Sequence, residues 1–313
     1  MLACAPVSTP TRILLDTDIG TDVDDAIALA LILASPELDL RAVTTVSGDV
    51  ILRSRIAKKL LTIGGKPAVP VAAGIQRPVL RQRNFLCIGH EGRGIVSPSE
   101  SLRVEPAHAV DVLIDVIRRE RPHVVCIGPL SNLAVAIMKE PDIVLAIPQL
   151  TVMGGFLGLH RDVPRVEYNF ASDAEAAIVV LNAGIRTTIV PLDVTWQVAL
   201  RMSHMALLRQ SRSRLVHTLC DAIDVWTPIQ QSFFGNQPGF DPATVALLHD
   251  PLTVAVLLEP SLVRFEHRRL RPALVDGAFE LVADPSALEF EVAVAVDAAR
   301  FVALLMENLL LLP

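Results

Sequence analysis

Positive charge is in short supply. The 313-residue chain has 28 Lys and Arg against 34 Asp and Glu, a formal net charge of −6, so no basic field exists to attract a nucleic-acid backbone or an anionic membrane. Cysteine is scarce as well. Cys4, Cys87, Cys126 and Cys220 lie far apart and form no CxxC pair, which argues against a zinc knuckle or a disulfide scaffold and suits a reducing cytoplasm. No uninterrupted apolar run approaches the roughly 18 residues of a membrane span, and the opening MLACAPVSTPTR lacks the basic and apolar regions of a signal peptide. The terminal LLLLP follows Glu307 and Asn308 and reads as the end of a packed helix. Internal repeats, low-complexity tracts and long linkers are missing too. A single domain over residues 1–313 is therefore expected, with residues 1–10 loosely packed or disordered.

What is present is core material. Hydrophobic residues make up 51% of the chain and charged residues 20%, far from the composition of a disordered protein. Short apolar runs bounded by turn residues alternate with stretches of helical period, as do parallel strands buried on both faces and their crossover helices. Strands are expected at Arg12 to Leu15, Leu38 to Val46, Val69 to Ala72, His123 to Ile127, Leu150 to Met153 and Thr187 to Pro191. Helices are expected at Asp24 to Ala34, Leu52 to Ile63, Ala107 to Arg119, Ser131 to Met138 and Asp173 to Ala183. After Asp193, helical stretches follow one another at Met202 to Gln210, Leu215 to Trp226 and from His249. Strand-like runs return at Leu270 to Val275 and Glu289 to Val296, before a last helix from Asp297. The pattern predicts an α/β single domain with a mostly parallel, doubly wound sheet, helices on both faces and a helical embellishment in the C-terminal third. The connection from Ala73 to Glu105 is too long for a passive linker, and its GHEGRG segment, Gly89 to Gly94, is expected to belong to a site.

The chemistry concentrates in LLDTDIGTDVDDAIALAL, Leu14 to Leu31, where Asp16, Asp18, Asp22, Asp24 and Asp25 fall within ten residues directly after an apolar strand. Crowded carboxylates raise one another's pKa, so a folded cluster needs a cation, shared protons or water. Solvated acids in the first turn of a helix explain one or two of them through the helix dipole, but not five. Oxygen ligands point to calcium or magnesium and away from zinc. An EF-hand is excluded by spacing, because a loop starting at Asp16 puts Thr21 at the glycine position and Ile27 at the glutamate position. A magnesium-dependent phosphatase of the haloacid-dehalogenase type competes, with Asp16 as nucleophile and Asp18 as acid/base. It also requires a later lysine, and Lys58, Lys59, Lys66 and Lys139 stand in no convincing context.

Five segments together resemble the nucleoside hydrolases of the inosine-uridine-preferring family. Asp16 to Leu29 is similar to the family's DxDxGxDD and AxAL, with two additional residues before Asp24. TTVSGD at Thr44 to Asp49 resembles TTVxGN, and GPLSNLA at Gly128 to Ala134 resembles PLTNLA. MGG at Met153 to Gly155 precedes VEYNFASDAEAA, similar to AEFNxxxDPEAA, and HDPLTVA at His249 to Ala255 nearly repeats HDPLAVA. The resemblance implies hydrolysis of the N-glycosidic bond of a nucleoside or close analogue, with calcium as cofactor and a homodimeric or homotetrameric assembly. It implies metal ligation by Asp18, Asp25, the backbone carbonyl of Ser131 and Asp250, and a water-activating base at Asp18. Asp24, Glu167 and Asn169 would bind the sugar, Glu167 toward its 5′ end, while Asp22 has no counterpart. His249 is expected to protonate the departing base, and His90 is a second candidate near the nucleoside. Trp226, Phe233 and Phe234 are candidates for stacking, against plain core packing. Asp173 reads as a helix cap.

Two positions depart from the family. Asp49 stands where the family has the asparagine of TTVxGN, and Arg161 falls where a second asparagine is expected. If both face the sugar, their changed hydrogen-bond polarity favours a modified sugar, such as one with an anionic group within reach of Arg161. A non-catalytic nucleoside-binding protein on the same fold is the remaining alternative.

Overall fold

The computed structural model describes residues 9–81, 83–97, 99–237 and 239–313. Residues 1–8 of the segment expected to be loosely packed lie outside these. Strand β1 (Thr11–Thr17) shows why the sheet is buried on both faces. Ile13 and Leu15 point into one core and Leu14 into the other, the period-2 alternation of a pleated strand. The same split occurs in β4 (His123–Cys126), where Val125 joins the first core and Val124 and Cys126 the second.

Around them lie β2 (Leu38–Thr45), β3 (Val71–Ala73), β5 (Leu150–Met153), β6 (Thr187–Val190), β9 (Val263–Val275), β10 (Ala278–Ala283) and β11 (Glu289–Val296), in the order β10-β9-β11-β6-β5-β4-β1-β2-β3. From β3 to β11 neighbouring strands run parallel, and β9 and β10 extend that edge antiparallel. One face is covered by α1 (Asp24–Ala34), α2 (Val50–Ile63), α9 (Arg214–Phe234), α10 (His249–Leu258) and α11 (Ala298–Leu311). The other carries α3 (Ala109–Glu120), α4 (Ser131–Lys139) and α6 (Ala174–Leu181). This is the doubly wound arrangement expected, with α7 (Leu192–Thr195), α8 (Met202–Leu208) and α9 as the later helical part.

The differences are local. The helix expected from Asp173 is preceded by a short α5 (Tyr168–Ser172), and Asp173 caps α6 by accepting the Ala176 N–H. A two-stranded ribbon of β7 (Ala199–Arg201) and β8 (Thr244–Leu247) and the strand β10 were not expected. The C-terminal leucines end α11, with Leu309 in the core. No helix among the described residues is long and apolar enough to cross a membrane. Sheet order reverses beside β1, where β2 lies on one side and β4 on the other. Such a switch point opens a crevice at the strands' carboxyl ends, and the acid-rich loop emerges there.

Candidate active site

A cavity of about 320 Å³ lies at this point, and its walls sort by chemistry into acids, a polar end and an aromatic end. The acids come from the β1–α1 connection, the first turn of α1 and α10: Asp18, Asp22, Asp24, Asp25 and Asp250 all line it. Asp24, Asp25 and Asp250 are brought together, one oxygen of each lying within 4.8 Å of the others. Asp24 also accepts the Asp250 N–H at 3.1 Å, which joins the start of the chain to α10. Burial first, then mutual repulsion, pushes Asp24, Asp25 and Asp250 well above the ordinary carboxylate range and Asp22 up to about 8. Asp18 is raised for the same first reason, although the Arg53 guanidinium opposes it. A buried all-oxygen group this repulsive needs protons or a hard cation to close on, and it fits calcium or magnesium.

Two neighbours hold the loop from behind. Arg53 of α2 is 2% exposed and donates to the carbonyls of Ser47 (2.6 Å), Asp18 and Ile19 (3.0 Å) and to the Thr21 hydroxyl (2.8 Å). Gly128, after β4, permits the close approach of Asp18, because a Cβ there would lie 2.8 Å from the Asp18 backbone nitrogen. Asp16 sits one layer deeper. It is fully buried, accepts from Thr44 and Asn132, is pushed by burial to about 7, and does not line the cavity. A phosphatase nucleophile must meet its substrate, so this position counts against that alternative.

Glu167 and Asn169 form the polar end. Glu167 caps α5, accepting the N–H groups of Asn169, Phe170 and Gly155, and burial carries it to about 7. Asn169 donates to the carbonyls of Ile127 (3.0 Å) and Met153 (3.2 Å). Among the described residues its oxygen has no partner, so it is the atom left to receive a ligand. The connecting loop is tied down by Asp193 of α7, which accepts the Leu157 and Leu159 N–H groups at 2.7 and 2.6 Å. Pro164, Val166, Tyr168, Leu86 and Ile88 also line the cavity; Leu86 and Ile88 come from the long connection, but none of Gly89 to Gly94, the segment expected there, does.

Four positions expected at the site, Ser131, Asp49, Arg161 and His90, are not among the residues that line the cavity. Ser131, expected to offer its carbonyl, opens α4, bonds Asp173 through its hydroxyl and does not line the cavity; helical carbonyls point along the axis toward the C-terminus. Ile127, the residue after β4, lines the cavity instead, and its carbonyl accepts the Asn169 amide. Asp49, expected at the sugar, is exposed and caps α2, accepting the Leu52 N–H at 3.0 Å. Arg161 is exposed and off the cavity wall, so the polarity change drawn from these two residues does not reach the site.

The aromatic end is formed by Trp196, Trp226, Phe233, Phe234 and His249. Trp196, which no sequence signal indicated, meets Phe234 edge-on and stacks on His249 at 6.2 Å. The His249 Nδ1 pairs with the Thr195 hydroxyl at 2.8 Å, and burial lowers the ring's pKa to about 4. His90 lies behind the wall, stacked on Trp226 at 5.6 Å with Nε2 against the Thr21 carbonyl at 2.7 Å.

Comparison with known proteins is consistent across sequence and structure. A family profile described as inosine-uridine preferring nucleoside hydrolase matches residues 13–303. The inosine-uridine preferring nucleoside hydrolase of Crithidia fasciculata is 31% identical over 319 residues, covering 96% of this chain and 98% of that protein. The pyrimidine-specific ribonucleoside hydrolase RihA of Enterobacter sp. (strain 638) is 32% identical over 259 residues, 80% of each chain. Among solved structures, a purine-preferring ribonucleoside hydrolase from Gardnerella vaginalis superposes with a TM-score of 0.83 at 28% identity, covering 96% of this chain and 98% of its own.

Proposed function

Because the chain belongs to the inosine-uridine preferring nucleoside hydrolase family, hydrolases acting on N-glycosyl compounds, we propose that it cleaves a nucleoside or close analogue into base and ribose with calcium as cofactor. The observation that carries this reading is the convergence of five carboxylates, Glu167 with Asn169, and the aromatic wall with His249 on one cavity. Its volume, about 320 Å³, falls in the range of small-ligand sites.

Asp18, Asp25, Asp250 and the Ile127 carbonyl are the ligands we assign, with Asp24 adjacent to take a sugar hydroxyl. When bound, the cation would acidify a nearby water and draw in the sugar's vicinal hydroxyls. Asp18 takes the proton of the attacking water, whose oxygen bonds to C1′ while the C1′–N electron pair leaves with the base. The neighbouring carboxylates stabilise positive charge on the sugar ring as that bond breaks. Asn169 receives a sugar hydroxyl, and Glu167 lies toward the 5′ end. We assign His249 hydrogen-bond donation to the departing base, which takes up a proton from solvent as the Asp18 carboxyl returns its own. Among the described residues no Lys or Arg lines the cavity beside its six carboxylates, which favours a neutral nucleoside over one with an anionic sugar substituent.

The test is a screen of common purine and pyrimidine nucleosides for free reducing sugar, with calcium present. Release of base and sugar supports the reading. Binding without release would make the chain a nucleoside-binding protein, and phosphate release from a phosphomonoester would revive the phosphatase. We also read the protein as a cytoplasmic homodimer or homotetramer. Light scattering tests the assembly.

A further inference from the structure

His249 is held by two contacts from adjacent residues of one segment. The Trp196 ring stacks on it at an interplanar angle of 28°, and Thr195 Oγ1 lies 2.8 Å from Nδ1. Thr195 is fully buried, and its backbone N–H bonds the Pro191 carbonyl at 3.1 Å. Among the described residues its hydroxyl has no other partner. A buried O–H without an acceptor is costly. If Nδ1 carried the proton and donated to Oγ1, the hydroxyl hydrogen would have nowhere to go. If the hydroxyl donates to Nδ1, both groups are satisfied and the ring proton must reside on Nε2. Nε2 itself has no partner among the described residues, and His249 lines the cavity.

We propose that Thr195 is a positioning residue that locks His249 in its Nε2–H tautomer, so that the ring presents a fixed donor to the leaving base. The leaving base is part of the nucleosidase reading, on which this clause rests; the tautomer is not. The substrates served are nucleosides whose base carries an acceptor lone pair beside the glycosidic bond, a purine ring nitrogen or a pyrimidine carbonyl. As the C1′–N pair moves onto the base, Nε2–H stabilises the charge that accumulates there.

The experiment combines nitrogen-15 NMR of ring-labelled histidine with kinetics, the His249 signals being identified by their loss in His249→Asn. The wild type is expected to show an unprotonated Nδ1 and a protonated Nε2. Thr195→Val, nearly the same shape without the hydroxyl, is expected to give mixed tautomers, and Thr195→Ser to restore the single one. With a natural nucleoside, Thr195→Val should lose about 10- to 100-fold in kcat with a smaller change in KM. With an aryl riboside whose leaving group departs unaided, the loss should be under about threefold. A protonated Nδ1 in the wild type overturns the proposal, as does an unchanged tautomer in Thr195→Val or an equal loss on both substrates. If the wild type cleaves no nucleoside, the functional reading of the site fails while the NMR result still decides the tautomer.

Discussion

Replacing Arg53 by methionine would remove the guanidinium that donates to the backbone carbonyls of Asp18 and Ile19 in the acid loop, while keeping the length and apolar stem of the residue. Four acceptors lose their donor: the carbonyls of Ser47, Asp18 and Ile19, and the Thr21 hydroxyl. An unsatisfied buried acceptor costs about 1–3 kcal/mol, but the loop would relax and the guanidinium's own desolvation cost would disappear. A net loss of about 3–5 kcal/mol is expected, as when one partner of a buried charged group is deleted. For a chain of this size that lowers Tm by about 6–10 °C, at roughly 2 °C per kcal/mol. Calorimetry in chelator measures it. Arg53 also lowers the pKa values of Asp18 and Asp25 electrostatically, so added calcium should recover part of the loss by supplying positive charge and binding only the folded state. Arg53→Lys, which keeps the charge without the planar fork, should fall between the two. A drop below about 2 °C in chelator for Arg53→Met would refute the idea that this residue braces the loop.

Asp18→Asn is expected to lower kcat by more than about 100-fold while nucleoside still binds, since an amide cannot accept the water's proton; near wild-type turnover would remove Asp18 from the base role. Elemental analysis should find about one calcium per chain, and full activity after exhaustive chelation would contradict the metal assignment. His123, paired with Thr151 and lowered by burial from 6.5 to about 4, takes up its proton in the unfolded state first as pH falls. Stability should therefore decline between pH 6.5 and 4, by at most about 3 kcal/mol. His123→Gln should flatten that part of the denaturation profile, and an unchanged slope would show that the ring is not buried neutral.

The parallel sheet was legible because strands buried on both faces read as unbroken apolar runs, and its crossover helices were legible from their period. Strand β10 was missed although Asp276 and Gly277, both with positive φ (50° and 82°), form a turn of a known hairpin type between Val275 and Ala278. Side chains at the site could be nominated wherever an ionisable group stood in a motif, and Asp18, Asp24, Asp25, Glu167, Asn169, His249 and Asp250 do meet on one cavity. Ile127 also lines the cavity but could not be nominated, since an apolar residue at the end of a buried strand carries no chemical signal. Asp49 misled for the opposite reason: an acidic residue before a helix serves equally as a cap or a ligand, and only its bond to Leu52 decides. Trp196, Val166 and Leu86 reach the cavity from three separate loops and elements, so no local pattern marks them as neighbours.

The bond between Asp24 and the Asp250 backbone spans 226 positions in the chain. During synthesis at about 5–20 residues per second, the aspartates leave the ribosome roughly 10–45 s before the segment that completes their cluster. Until then the acid loop has Arg53 but not α10, and the cavity has no far wall. The site is thus among the last parts of the molecule to exist, and a nascent chain, or one cut short before Asp250, has most of the sheet but cannot yet capture either cation or sugar.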